Sequence, residues 1–389
     1  MKNIIKFYCQ QMKIQYKQGL NEVLAPFMDL YKQGMPLNIT LACFENFVNR
    51  ILPNIFSDQA LYTISGIFHV FKMLCQYLLP EVDQFLRNYR ICPEYFLNAW
   101  IITALANKIR SIKLVFKLWQ ALLSNGSREF FVLLCLALMD IKKQEVFEQD
   151  SSQALVFLSM ICIDTEEVID LMVERAKVYT TLLPFSITMC LEAFNIYSPD
   201  SLIDKIDTLS SFFTFKILPE EFFKNLYPES FDFPKLSLLL IDCRPNSDLK
   251  SGYFPNSATF PIESLDDPGK IQDFIFRFEG LKGFSHFVIM GDKEIDEDSA
   301  GFRLFSSFYN RNFPFLSIAK GGFELAHEYA RGKNLKIKNH ITDTCKICLK
   351  NKKSFKKLGD FFWPGRKSMA RQRLPSHQDQ DYSQYKNWI

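Results

Sequence analysis

An apolar run, Phe287-Val-Ile-Met290, enters a turn at Gly291 and continues toward a helical pattern. A strand, turn and helix in that order point free backbone N–H groups at one spot and favour bound anions. A nucleophile placed there could carry sulfur or a phosphoryl group. The turn instead holds Asp292, Glu294, Asp296, Glu297 and Asp298, which would repel a thiolate, persulfide or phosphate. No cysteine lies between Cys243 and Cys345 to act as the nucleophile. The residues therefore predict an anion-cradling frame with no nucleophile in it.

Two other places hold reactive side chains. Cys243 follows the apolar run at 236–241 and precedes Arg244; a nucleophile needs an electropositive, accessible pocket, whereas a cysteine ending a buried strand is a small apolar side chain, the reading adopted here. Cys345-Lys-Ile-Cys348 has half of a zinc-knuckle spacing, with His340 and His377 able to add ligands. A firm zinc pattern wants a second paired knuckle, and the sequence has none, so neither a metal nor any other cofactor is expected. His69, His286 and His327 stand isolated on apolar or helical faces and are read as ordinary core or surface residues.

The elements that must position these groups follow from periodicity. Apolar residues recur at three and four spacings through Ile67, Phe68, Phe71, Leu74 and Leu78, through Phe96, Ala99, Trp100 and Thr103, and through Val115, Leu118, Trp119 and Leu122. Pro36, Pro53, Pro80, Pro93 and the Ser124-Asn-Gly-Ser127 cluster cut the pattern into short helices. This predicts an all-α domain over 1–195. A linker rich in Ser, Asp and Pro follows at 196–224, then an α/β domain at 225–333 with a central parallel sheet, in which the runs 236–241, 287–290 and 315–319 are buried strands. The fold class is multidomain, α and α/β.

Two sets of motifs carry family resemblances. Tyr16-Lys-Gln-Gly-Leu-Asn21, followed by Leu79-Pro-Glu, Ile91-Cys-Pro93, Trp100, Phe116-Lys-Leu-Trp119 and the run Phe130 to Met139, resembles the TBC domain of Rab GTPase-activating proteins. The resemblance implies that Gln18 is a glutamine finger, with Tyr16 and Gly19 shaping its loop. Accelerated GTP hydrolysis also needs a cation against the transferring phosphoryl group. In that family an arginine upstream supplies it, and no arginine here precedes Arg50, so the domain is expected to be N-terminally truncated or a binding module. Gln120 after Trp119 also departs from the family's Trp-Asp pair. Asp242-Cys-Arg244, the turn Gly252 to Ser257 and Gly321-Gly-Phe323 resemble a rhodanese-like domain, whose sulfur-carrying cysteine would stand where Met290 and Gly291 are.

A TBC domain followed by a rhodanese-like domain without its cysteine resembles adaptors of the trans-Golgi. That likeness implies a non-catalytic protein of endosome-to-Golgi retrograde trafficking, binding coiled-coil golgins through the TBC domain. It implies a cytoplasmic location, peripheral at the trans-Golgi network and on endosome-derived vesicles. The family's link to the WASH complex requires a further C-terminal domain that the sequence is not expected to contain. The alternative is a Rab GTPase-activating protein using Gln18, with a Rab GTPase as partner; sulfurtransferase activity is a distant third.

Composition bounds these readings. The chain has 389 residues, 48% hydrophobic and 23% charged, enough for two or three full cores. Its ten cysteines are expected to be reduced, as in a cytosolic protein. The N-terminus lacks the pattern of a secretory signal, and no apolar stretch is long enough to span a bilayer. Residues 331–373 hold 14 Lys or Arg against two acids, which makes 334–389 a basic tail, expected to be disordered. Within it Lys352, Lys353, Lys356, Lys357, Phe361, Phe362 and Trp363 could contact an anionic membrane through charge and aromatic insertion. No nucleic-acid module accompanies this charge, and nucleic-acid binding is not expected.

Overall fold

The ten apolar residues from Phe130 to Met139 lie in one helix, α8 (Arg128–Phe147), and all of them are buried. A helix apolar on every face can be stable only inside other helices. In the computed structural model, which describes residues 1–58, 62–125, 128–192, 212–231 and 236–350, those neighbours are supplied by the chain on either side. Before α8 come α1 (Lys2–Met12), α2 (Leu20–Lys32), α3 (Leu37–Ile51), α4 (Tyr62–Leu78), α5 (Pro80–Asn88), α6 (Glu94–Ile102) and α7 (Ile112–Asn125). After it come α9 (Ser151–Met160), α10 (Glu166–Leu182) and α11 (Phe185–Glu192). α10 packs along α8, and α4, α5, α7, α9 and α11 also touch it.

The prolines act at the boundaries as their chemistry dictates. Pro36 and Pro93 are the residues that precede α3 and α6, and Pro80 opens α5, where the missing N–H is no loss. Asp150 caps α9 by accepting from the amides of Ser152 and Gln153, and Thr165 caps α10 through the amide of Val168. Aromatic rings fill the space between helices. Trp119 lies 4.1 Å from Phe47 and 5.4 Å from Phe27, centroid to centroid, tying α7 to α3 and α2.

The chain divides into two compact units, residues 1–215 with 309–315, and residues 216–308 with 316–389. The second contains a five-stranded sheet, all parallel, in the order β1-β5-β4-β2-β3: β1 (Lys216–Ile217), β2 (Leu238–Asp242), β3 (Ala258–Thr259), β4 (His286–Met290) and β5 (Leu316–Ala319). Its helices are α12 (Pro219–Leu226), α13 (Asn246–Lys250), α14 (Pro268–Phe276), α15 (Ala300–Tyr309) and α16 (Gly322–Gly332). Residues of β4 and β5 are buried throughout, as expected of central parallel strands. The abundant phenylalanines pack this core: Phe223 meets Phe254, Phe254 meets Phe323, and Phe287 meets Phe308.

Three expectations need correction here. The sheet begins at Lys216, inside the segment read as a linker, because Lys216 and Ile217 pair with Ile318 and Ala319 and Pro219 opens α12. Residues 196–211 lie outside the described residues. The tail read as disordered from 334 is ordered to 350: Tyr253 and Lys338 exchange two backbone hydrogen bonds, of 3.0 and 2.9 Å, and Cys345 and Cys348 are buried. Finally, His327 is not isolated; it meets His340, Cys345 and Cys348. Among the described residues no helix is long and apolar enough to cross a membrane.

Candidate functional site

Gln18 sits exposed in the turn between α1 and α2, and three contacts hold that turn. Lys17 donates from its ammonium to the carbonyls of Ile55, at 2.9 Å, and Asp58. Burial lowers the Lys17 pKa, and the nearby Asp58 charge works against that shift. Gly19 has φ +106°, and a Cβ there would stand 2.1 Å from Cγ2 of Ile102 at the end of α6. Asn21 accepts from the Tyr16 hydroxyl at 2.9 Å and from the Gly19 amide at 3.4 Å. Tyr16, Gly19 and Asn21 thus form one small network on either side of Gln18 in the chain, while Leu20, Val23, Leu24 and Phe27 anchor the following helix in the core.

The end of α6 that supports Gly19 is itself fixed by Trp119. Its indole N–H donates to the Ala104 carbonyl at 2.9 Å, at a turn where Ala104 and Leu105 both have positive φ. Left-handed backbone costs roughly 1–2 kcal/mol per non-glycine residue, so this turn needs such a tie. Arg50, the first arginine of the chain, ends α3 and donates to the Leu123 carbonyl at 3.0 Å.

In the α/β unit, β2 leads toward β3 and β4 leads toward β5, so the crevice of this sheet lies at the C-terminal ends of β2 and β4. Asp242 and Met290 are register partners there. The crevice is filled by the chain itself. Arg244 forms a bidentate pair with Asp242, with contacts of 2.8 to 3.1 Å, donates to the Gly252 carbonyl at 2.7 Å, and lies over the Phe323 ring. Burial pushes the Asp242 carboxyl up, and the guanidinium pulls against it. Cys243 is 1% exposed, and burial followed by the Asp242 charge raises its thiol to about 12, so it is a core residue with no nucleophilic character.

Met290 is fully buried, and the acidic turn folds back over the crevice. Phe323 and Glu324 donate their amides to the carbonyls of Gly291 and Asp292, at 2.8 and 3.1 Å, and Gly321 donates to the Glu294 carboxylate at 3.0 Å. Lys216 pairs with Glu294 in turn. Ile295 is buried, 2.8 Å from the Cβ position of Gly301, which also faces Cys243 Sγ at 3.4 Å. The amides of Gly321, Phe323 and Glu324, at the start of α16, are therefore taken by the carbonyls and the carboxylate of the turn that leaves β4. Composition showed the acids; it did not show that Ile295 plugs the crevice.

Of the remaining sequence candidates, Lys352, Lys353, Lys356, Lys357, Phe361, Phe362, Trp363 and His377 lie outside the described residues. His340, Cys345 and Cys348 come together, joined by His327, which a search for knuckle spacing could not find because it comes from α16. His286 is a buried residue of β4, with its pKa lowered by burial to about 4.

Residues 1–147, within the helical unit, match the Rab-GTPase-TBC domain family. Residues of this chain are also similar to the TBC domain-containing protein kinase-like proteins of Gallus gallus, Mus musculus and Homo sapiens. Each is 24% identical over 151 residues, which is 39% of this chain and 17% of the relative. The chain thus spans well under a quarter of the length of the curated relatives it matches. The matched residues are followed by a region of parallel sheet and helices.

Proposed function

We propose that this chain is a non-catalytic adaptor whose TBC domain recognises a partner surface without accelerating GTP hydrolysis. The supporting observation is the environment of Gln18. Its neighbouring cation, Lys17, is bonded to the Ile55 and Asp58 carbonyls, and the first arginine, Arg50, is bonded at the end of α7. A glutamine can orient water, but charge on the transferring phosphoryl group then goes unneutralised by these residues. The following α/β region is read as a rhodanese-like domain without its cysteine, serving as a docking or spacing module.

This pairing of domains resembles TBC domain family member 23, and with it come the partner and place: coiled-coil golgins at the trans-Golgi network, capture of endosome-derived vesicles, and a peripheral cytoplasmic location. The WASH complex would join only through a further domain. A second reading, a Rab GTPase-activating protein, is favoured by one specific feature: Tyr16, Gly19 and Asn21 keep Gln18 exposed on a braced turn. Single-turnover GTP hydrolysis by a panel of Rab GTPases decides between them. The adaptor reading expects intrinsic rates with both the wild-type chain and Gln18→Ala, and saturable binding of a golgin N-terminal segment to both. Acceleration by the wild type that Gln18→Ala abolishes would establish the enzyme instead.

A further inference from the structure

His327, His340, Cys345 and Cys348 place four ligand atoms within 4.8 Å of one another. The two Nε2 atoms are 3.2 Å apart. Cys345 Sγ lies 3.7 Å from His327 Nε2, and Cys348 Sγ lies 3.6 Å from each histidine Nε2. A tetrahedral zinc ion with Zn–N of about 2.0–2.1 Å and Zn–S of about 2.3 Å has N–N edges of about 3.3 Å and N–S edges of about 3.6 Å. The four edges given above agree with that tetrahedron to within about 0.2 Å, and the other two, from Cys345 Sγ to Cys348 Sγ and to His340 Nε2, lie within 4.8 Å.

The surroundings point the same way. His327, Cys345 and Cys348 are buried, yet thiols are weak hydrogen-bond donors and His327 Nδ1 is without a partner. Two thiols and an imidazole removed from water are costly unless a strong interaction joins them. Two thiolates and two neutral imidazoles cancel the charge of a divalent ion, and an S₂N₂ tetrahedron selects zinc. Four protein ligands leave no open position, so the site is structural.

The backbone also brings the ligands together from separate elements. His327 is on α16, and His340 follows the segment that pairs with Tyr253. Gly252, at φ +138°, lets that segment approach: a Cβ there would stand 3.2 Å from His340 Cα. Cys345 and Cys348 flank the start of the helical turn at 346–350, which Lys346 ties to Asp248 and Lys350 ties to Glu324.

We propose that His327, His340, Cys345 and Cys348 bind one structural zinc ion, which staples residues 336–350 onto α16 and the 251–253 turn. Binding releases the two thiol protons to solvent as two Zn–S and two Zn–N bonds form. No electron transfer is involved.

The test uses the full chain, purified without added metal. Elemental analysis should find about one zinc per chain retained through dialysis, consistent with the affinity of closed sites. After chelation, Co²⁺ titration should give the visible bands of tetrahedral cobalt with a thiolate charge-transfer band, saturating at one equivalent. Cys348→Ser should lower metal affinity by at least about tenfold, while Cys162→Ser, in the helical unit, keeps it. A wild-type chain that binds no zinc, or whose Co²⁺ spectrum lacks the thiolate band, overturns the proposal even if the variant misfolds. So does a folded Cys348→Ser that holds zinc as tightly as the wild type.

Discussion

The amide of Phe323 donates to the carbonyl of Gly291 at 2.8 Å, so the first turn of α16 is capped by the loop that leaves β4. An anion at this helix start would have to displace that bond, the bond from Glu324 to Asp292, and the Glu294 carboxylate on Gly321. It would also have to enter beside Asp292, whose own pKa is raised by burial and by the nearby Asp248 charge.

Restoring a thiol alone should therefore not restore sulfur transfer. Met290→Cys places the sulfur on a fully buried residue, beneath a loop whose Ile295 is also buried. A thiol there stays protonated and unreachable. With thiosulfate as donor and cyanide as acceptor, thiocyanate formation by the variant is expected to equal the wild-type background. Turnover above that background would show that the loop opens.

The burial of Met290 and of Cys243 was legible in sequence, because each stands at the end of an apolar run. The plug was not. Ile295 looked like one apolar residue among acids, and only the path of the turn brings it to Gly301. The helical unit was legible for a related reason: proline positions and three–four spacing are local signals, and Pro36, Pro80 and Pro93 fall where helices start. β1 was missed because two residues carry no period; Lys216 and Ile217 become a strand only through pairing with Ile318 and Ala319. His327 was misread because its partners arrive from beyond the end of α16, a tertiary fact with no spacing rule behind it.

The turn that presents Gln18 should depend on contact more than on backbone conformation, and two glycines separate these effects. Gly19 and Gly34 have nearly equal φ, +106° and +104°, so alanine pays a similar left-handed strain at either. A Cβ at Gly34 meets nothing within 4 Å, whereas at Gly19 it would overlap Ile102. Gly34→Ala is expected to cost about 1 kcal/mol and Gly19→Ala about 2–4 kcal/mol, the excess being overpacking. Urea denaturation of the two variants checks the order. Equal losses would mean that α6 yields to the new methyl group and does not brace the turn.

The buried carboxylate of Asp140 gives the helical unit a defined acid sensitivity. Asp140 lies on α8 and accepts from Arg175, from the Tyr179 hydroxyl at 2.7 Å, and from Lys143 at 2.9 Å. Burial alone would raise its pKa; hydrogen bonds from Lys143 and Tyr179 and the charges of Lys143 and Arg175 outweigh it and hold the carboxyl below the ordinary range. The native state then binds fewer protons than the unfolded state around pH 4. Its stabilisation is fully present above the unfolded carboxyl value of about 3.9 and is lost as pH falls through the lower native value. Asp140→Asn should cost about 1–3 kcal/mol at pH 7, toward the low end because Arg175 and Lys143 are partly exposed and screened. The gap between wild type and variant should narrow steadily as the pH of the urea titrations is lowered below 4. A gap that stays constant from pH 7 to the acid limit of folding would mean that packing around Asp140, and not its charge, holds α8 to α10.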